Sequence, residues 1–449
     1  MYANEKFDTN TLSISQKITA LRKDKKISQD KIAEVALTSQ AQISRIETST
    51  SAEEYNQDEL ERVKKFLKIE GMPLTEDERA AFRESLYYWR DLLRVGRTKE
   101  AEDMHKVLSP AVNLEPVDTD LSMLYRLFEV IHIFYEAGDN YADIANEKMS
   151  YLEDKQEIMS VEHLYYYHSN IGFIKILNEQ YTEAIKSFTK TLDLVKDNED
   201  FSSEDLEKVH YHIALCYNYI ENPFRTIMFL NKIPRANSGS RTSLHRINSD
   251  VMLSLNYIKI GEFDFAKELL NNCLLRAKGT LNKSLIGLVL RNLGVLYRFS
   301  KDWEKSIDYF DQAMMFLEET SEHYMGALYY KARCLIELKS FTEAKKIIIN
   351  AKAKYSKSPD LIIFEILTHI LAVSKRMSSY DVMSVEYIEK TAIKYFIDNS
   401  IRLEAIACCE LLSEYGVKSK RTGKSLEAKA IINDIYKHMF NNQKGGNVL

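Results

Sequence analysis

Gln40, Ala41, Gln42, Ser44 and Arg45 lie almost consecutively, a set of side chains able to read the edges of base pairs. A glutamine amide bonds adenine through a donor and an acceptor. Arginine forks onto guanine or a phosphate, and an alanine methyl meets the thymine methyl. Ser39, just ahead, can cap the helix that carries them, and Ser28 can cap a preceding helix that opens on Gln29. Gln29 then stands at a positive helix end, where a phosphate can sit, and Arg22 is a second expected phosphate contact.

A second set is polar residues inside otherwise apolar helical runs: Asn170, His212, Asn218, Asn256, Arg291, Asn292 and Arg298. An asparagine amide can pair with an extended peptide backbone through a donor and an acceptor, whatever the peptide's sequence. Arg291 and Arg298 are two helical turns apart on one face and could hold an acidic side chain or a terminal carboxylate. Each of these residues fits a solvated helix surface equally well. Tyr165–Tyr167 and Tyr329–Tyr330 read as helix packing.

The first set needs two short helices crossing steeply. Ile32, Ala33, Ala36, Ile43 and Ile46 supply the apolar contacts, with the small Ala33 permitting close approach. Around them Lys17, Arg22, Lys23, Lys25, Lys26, Lys31 and Arg45 outnumber Asp24, Asp30, Glu34 and Glu47, whereas the whole chain carries −5. A basic head on an acidic body suits a head that meets phosphates. The run from Ile27 to Glu47 resembles the helix-turn-helix of the lambda-repressor and Cro type. It departs from that pattern where Leu37 replaces the usual turn glycine and Thr38 the following Val or Ile, so Leu37 must adopt a strained backbone or shift the turn.

The second set needs a repeating scaffold. Tyr141, Tyr181, Phe224, Phe263, Trp303 and Phe341 recur at intervals of about 40 residues, each at the start of a helical pattern. Before most of them lies a short break. Before each break runs an apolar helix with a small residue in its middle: Gly172, Ala214, Ser254, Gly294 and Ala332. Each unit is therefore helix, tight turn, helix, with the small residue admitting a close neighbour. The unit containing Leu293, Gly294, Tyr297, Phe310 and Ala313 resembles the tetratricopeptide signature, as does Gly172 with Tyr181, Ala184 and Phe188. The scarcity of Gly (14) and Pro (6), with 45% hydrophobic and 28% charged residues, also favours helices.

The expected fold is all-α: a small five-helix repressor-type head, then a right-handed tetratricopeptide-like solenoid of about seven to eight helix pairs. Residues 1–13 form a tail, 14–70 the head, 71–79 a linker, 80–440 the repeats and 441–449 a second tail.

Other chemistry finds little support. Cys216, Cys273, Cys334, Cys408 and Cys409 form no C-x-x-C pair, so neither a zinc site nor a disulfide framework is indicated. His210 and His212 point to nearly opposite sides of a helix and cannot share a metal. Gly423-Lys424-Ser425 imitates the end of a phosphate-binding loop, but Lys418 stands where the first glycine belongs. Ser238–Ser240 reads as a loop. No catalytic constellation, metal or cofactor is expected, and the chain reads as a non-enzyme. Leu361–Val373, the most apolar stretch, is interrupted by Glu365 and His369 and is too short to span a bilayer. With no signal-peptide pattern, a cytoplasmic location follows.

Head, linker and repeats together resemble the peptide-receptor regulators of Gram-positive bacteria, the Rap, NprR and PlcR-type quorum-sensing proteins, and NprR-like members in layout. The resemblance implies a transcription regulator that binds a double-stranded DNA operator. It also implies a homodimer or higher oligomer and a short signalling peptide in the concave groove, with Asn170 and Asn292 as its best-matched contacts. The alternative is a Rap-like interaction protein whose repeats bind a response regulator or stimulate its dephosphorylation.

Overall fold

The computed structural model describes residues 15, 18–19, 22–23, 26–48, 56–67, 76–109, 118–135, 140–233, 243–280, 282–375 and 382–441. Helices dominate, and no strand occurs among the described residues. The first expected tail, residues 442–449 of the second and most of the linker lie outside the described residues, while Asn441 still belongs to the last helix. Residues 76–79, expected as linker, already form the first turn of a helix. Two compact units divide between residues 200 and 201, inside the repeats.

In the first unit, α1 (Gln29–Val35), α2 (Gln40–Thr48) and α3 (Gln57–Leu67) enclose a small core. Ile18, Ile32, Ala33, Ala36, Ile43, Ile46, Leu60, Val63 and Leu67 are all buried together, so the apolar spacing read from the sequence does fix the crossing. Ser28 accepts a hydrogen bond from the Lys31 N–H and Ser39 from the Gln42 N–H, as helix caps do. Leu37 takes the strained option: its φ is 51°, with its side chain in solvent. Thr38 donates to Glu59 at 2.8 Å, and Arg62 donates to the Ala36 carbonyl at 2.7 Å, so α3 braces the turn.

The same unit continues through α4 (Glu76–Arg94), α5 (Thr98–Leu108), α6 (Thr119–Tyr135), α7 (Tyr141–Glu153), α8 (Val161–Leu177) and α9 (Tyr181–Val195). Trp89 is fully buried and donates through Nε1 to His132 Nδ1 at 3.0 Å. The indole needs such a partner in a core.

The second unit holds α10 (Ser203–Tyr219), α11 (Pro223–Leu230), α12 (Ser243–Lys259), α13 (Phe263–Gly279), α14 (Lys283–Phe299), α15 (Trp303–Met314), α16 (Glu322–Glu337), α17 (Phe341–Lys354) and α18 (Ile362–Lys375). Then come α19 (Val382–Tyr387), a π-helical turn at Ile388–Ala392, α20 (Ile393–Asp398), α21 (Arg402–Lys418) and α22 (Thr422–Asn441).

One turn recurs through both units. Glu179, Glu221, Gly261, Lys301, Lys339, Ser400 and Lys420 all have positive φ, and each stands two residues before a helix start. In each case the next residue's N–H bonds a carbonyl five residues back, as in Asp302 to Tyr297 and Ser340 to Leu335. This left-handed cap satisfies the carbonyls at the end of the first helix and aims the second. The middle glycines admit a phenylalanine from the following helix: Phe188 lies against Gly172 and Phe310 against Gly294.

Candidate functional site

On the head, Gln40, Ala41 and Arg45 are exposed on α2, while Gln42 and Ser44 are half-buried. Arg22 and Gln29 are placed differently from the expectation. Arg22 grips Glu47 with Nε at 2.5 Å and Nη2 at 3.1 Å, and its Nη1 bonds the Ile27 carbonyl at 3.1 Å. That bidentate pair ties Arg22, ahead of α1, to α2 and raises the guanidinium pKa, chiefly through the Glu47 hydrogen bond. Gln29 donates to the same carboxylate at 2.7 Å and accepts from Gln40 at 3.4 Å. Arg22, expected at a phosphate, also ties the head internally, its donors engaged by Glu47 and by the Ile27 carbonyl. Gln29 orients Gln40.

Asn170 belongs to the first unit and is fully buried, its amide donating to the Leu127 carbonyl at 2.9 Å. It fastens α8 to α6, while its Oδ1 makes no hydrogen bond. The other expected ligand contacts belong to the second unit. Asn256 donates to Asn218 Oδ1 at 2.9 Å and to the Met252 carbonyl at 2.8 Å. Asn218 also accepts from Lys259 at 3.4 Å. His212 lies beside Tyr211. Arg291 donates to Asn292 Oδ1 at 3.3 Å, and the buried Asn292 Nδ2 and Asn256 Oδ1 have no hydrogen-bond partner. Unmet buried amides of this kind are costly unless something completes them.

Arg298 carries the largest surprise. Its guanidinium pairs with Glu404 at 2.7 Å to Oε1 and 3.0 Å to Oε2. Tyr329 donates to Glu404 Oε2 at 2.8 Å, and Arg333 Nε lies 3.6 Å from the same oxygen. Glu404 is 0% exposed, Arg333 2% and Arg298 4%. Burial, then the charge of Glu404, pushes the Tyr329 hydroxyl well above its ordinary pKa, so it remains a donor. Arg402, two residues before Glu404, pairs with the buried Glu221 at the left-handed turn. Arg291 and Arg298 do share a face, both guanidiniums lying over the Tyr330 ring at 5.7 and 5.4 Å.

Sequence reasoning missed Glu404, Arg333 and Tyr329. A signal was there: Glu404 is the only acid from Leu403 to Cys409, and Arg333 sits between Ala332 and Cys334. A charge in a helical stretch that must be buried demands a partner. The cysteines are all free and fully buried, and burial pushes the thiols of Cys216, Cys273, Cys408 and Cys409 up to about 12. Among the described residues no group of His, Cys, Asp and Glu could hold a metal, and no helix is long and apolar enough to cross a membrane.

A tetratricopeptide-repeat family model matches residues 289–320. Regulatory protein RapD of Bacillus subtilis (strain 168) is 22% identical over 302 residues, which is 64% of this chain and 82% of RapD. The apo form of the quorum sensor NprR from B. thuringiensis aligns with TM-score 0.63 and 16% identity, over 79% of this chain and 98% of that one. NprR in complex with its cognate peptide NprX aligns with TM-score 0.52 and 17% identity, over 79% and 99%. The chain resembles the Rap and NprR proteins and shares their helical-repeat fold.

Proposed function

We propose that this chain is a cytoplasmic transcription regulator. Its head binds operator DNA, and its repeats bind a short signalling peptide that controls the head. The observation that carries the reading is the pairing of two features. One is an exposed Gln40, Ala41 and Arg45 on a second helix capped by Ser39 after a braced turn. The other is a set of buried, incompletely bonded amides on repeat helices, Asn256 and Asn292 among them. The first suits base readout and the second suits a peptide backbone. A solved NprR with its peptide shows what such a fold can hold. Two heads reading a pseudo-palindrome require at least a homodimer.

Native mass spectrometry of protein from its own host, joined to selection of bound sequences from random duplex DNA, tests the reading. A co-purifying short peptide and an enriched palindrome are expected. Enrichment of no sequence would overturn the DNA part. The similarity to RapD favours a second reading, in which the repeats bind a response regulator. Co-purification of such a protein in place of a peptide would establish it.

A further inference from the structure

Two buried guanidiniums share one carboxylate in the second unit. Arg298 and Arg333 both reach Glu404, and the other acid near Arg333 is Glu337, 3.9 Å from it and with a side chain 43% exposed. The buried part of the cluster therefore carries one positive charge too many, which an interior tolerates poorly. The Nε–H groups of Arg298 and Arg333 are buried and make no hydrogen bond. Both arginines line a cavity of about 560 Å³. Its walls include Ile258, Phe263, Phe299, Trp303, Leu403 and Ile406, while Glu337, Glu410, Glu414 and Lys301 are exposed. The buried charge in the lining is positive, and it stands beside apolar side chains as well as the exposed carboxylates.

We propose that Arg298 and Arg333 form a binding site for the carboxylate of a ligand with an apolar body, seated in this cavity. A carboxylate matches the planar fork of a guanidinium and supplies the missing negative charge. The apolar walls select what the carboxylate is attached to. Tyr329 is bonded to Glu404 and keeps that internal carboxylate in place beside the incoming one. Under the peptide-receptor reading, on which this inference rests, the ligand group is the free C-terminus of a short peptide that ends in an apolar residue.

The test uses the full-length chain and small probes. N-acetyl-leucine carries a terminal carboxylate on an apolar body, N-acetyl-leucinamide is its neutral counterpart, and inorganic phosphate is an anion without the body. Calorimetry and ligand-observed NMR should give saturable binding of N-acetyl-leucine at least about tenfold tighter than of the amide, the factor that one charged hydrogen bond supplies. Arg298→Met and Arg333→Met should each remove that preference. Glu404→Gln, which keeps the shape and takes away the competing charge, should tighten binding of the acid and leave the amide unchanged.

Equal affinity for acid and amide, or tighter binding of phosphate than of the acid, overturns the assignment. If the arginine variants fail to fold, the acid–amide comparison in the parent and in Glu404→Gln decides by itself. The probes are not the signalling peptide. A negative result here beside an intact response to a co-purified peptide would sink this site and leave the peptide reading standing.

Discussion

Gly294 lies so close to the ring of Phe310 that a Cβ at Gly294 would stand 2.6 Å from a ring carbon. The phenylalanine of the second helix thus occupies the volume that any other residue at 294 would need. Gly294→Ala should cost about 1–3 kcal/mol through overpacking. Gly279, at the end of α13, has nothing within 4 Å of its Cβ direction. Gly279→Ala should be neutral or gain up to about 1 kcal/mol. Urea unfolding of both variants checks the contrast, and equal losses would refute the role of Phe310.

The left-handed turns give a prediction with opposite signs at two positions. Lys339 is exposed with φ 62°. Lys339→Gly should stabilise by up to about 1 kcal/mol, since a non-glycine residue pays about 1–2 kcal/mol there. Glu221 has the same conformation at φ 56°, but its carboxylate holds Arg402. Glu221→Gly should destabilise, because losing one partner of a buried ion pair costs about 3–5 kcal/mol. Thermal midpoints that move in the same direction for both variants would contradict this.

In the head, Arg45→Ala should weaken operator binding by about 1–3 kcal/mol with the melting temperature unchanged. Arg22→Ala should do the reverse of a simple phosphate contact. It leaves the Glu47 side chain, 5% exposed, without its bidentate partner, and should lower the stability of the head. Circular-dichroism melting beside binding titrations at fixed salt separates the two residues.

His210 is buried on α10, and its pKa is lowered to about 4, first by desolvation and then by Lys232. In the unfolded chain a histidine titrates near 6.5. As pH falls from about 6.5 to 4, the unfolded chain takes up a proton that the folded chain refuses, so stability is lost across that window. His163, His168 and His323 are lowered in the same direction, by burial first. His210→Gln should therefore lose less stability than the parent between pH 7 and pH 5. Denaturation midpoints at the two pH values measure this, and identical pH dependence would remove His210 from the account.

Much of this was legible in the chain. The apolar spacing from Ile32 to Ile46 determined a buried core, and Ser28 and Ser39 announced helix starts. The aromatic recurrence from Tyr141 to Phe341 marked helix beginnings that the structure places at Tyr141, Tyr181, Phe263, Trp303 and Phe341, and one residue ahead of Phe224 at Pro223. These features are local, and local propensity can encode them. The internal ion pairs of Arg22 and Arg298 were not legible, for the converse reason. Their partners, Glu47 and Glu404, lie 25 and 106 residues away, and spacing rules along one helix are blind to such pairs. The Phe188 and Phe310 contacts fall between: the glycines signalled that something must approach, and the repeat signature hinted at what.

The five sealed cysteines have a practical consequence. They are distributed over α10, α13, α16 and α21. Thiols held protonated and out of water cannot be alkylated until the helix around them opens. Local openings in a repeat array differ from unit to unit, since each unit leans only on its neighbours. Pulsed iodoacetamide followed by peptide mapping would then act as a set of stopwatches, each started by the loosening of one part of the array. Their order would tell from which end the second unit begins to unravel.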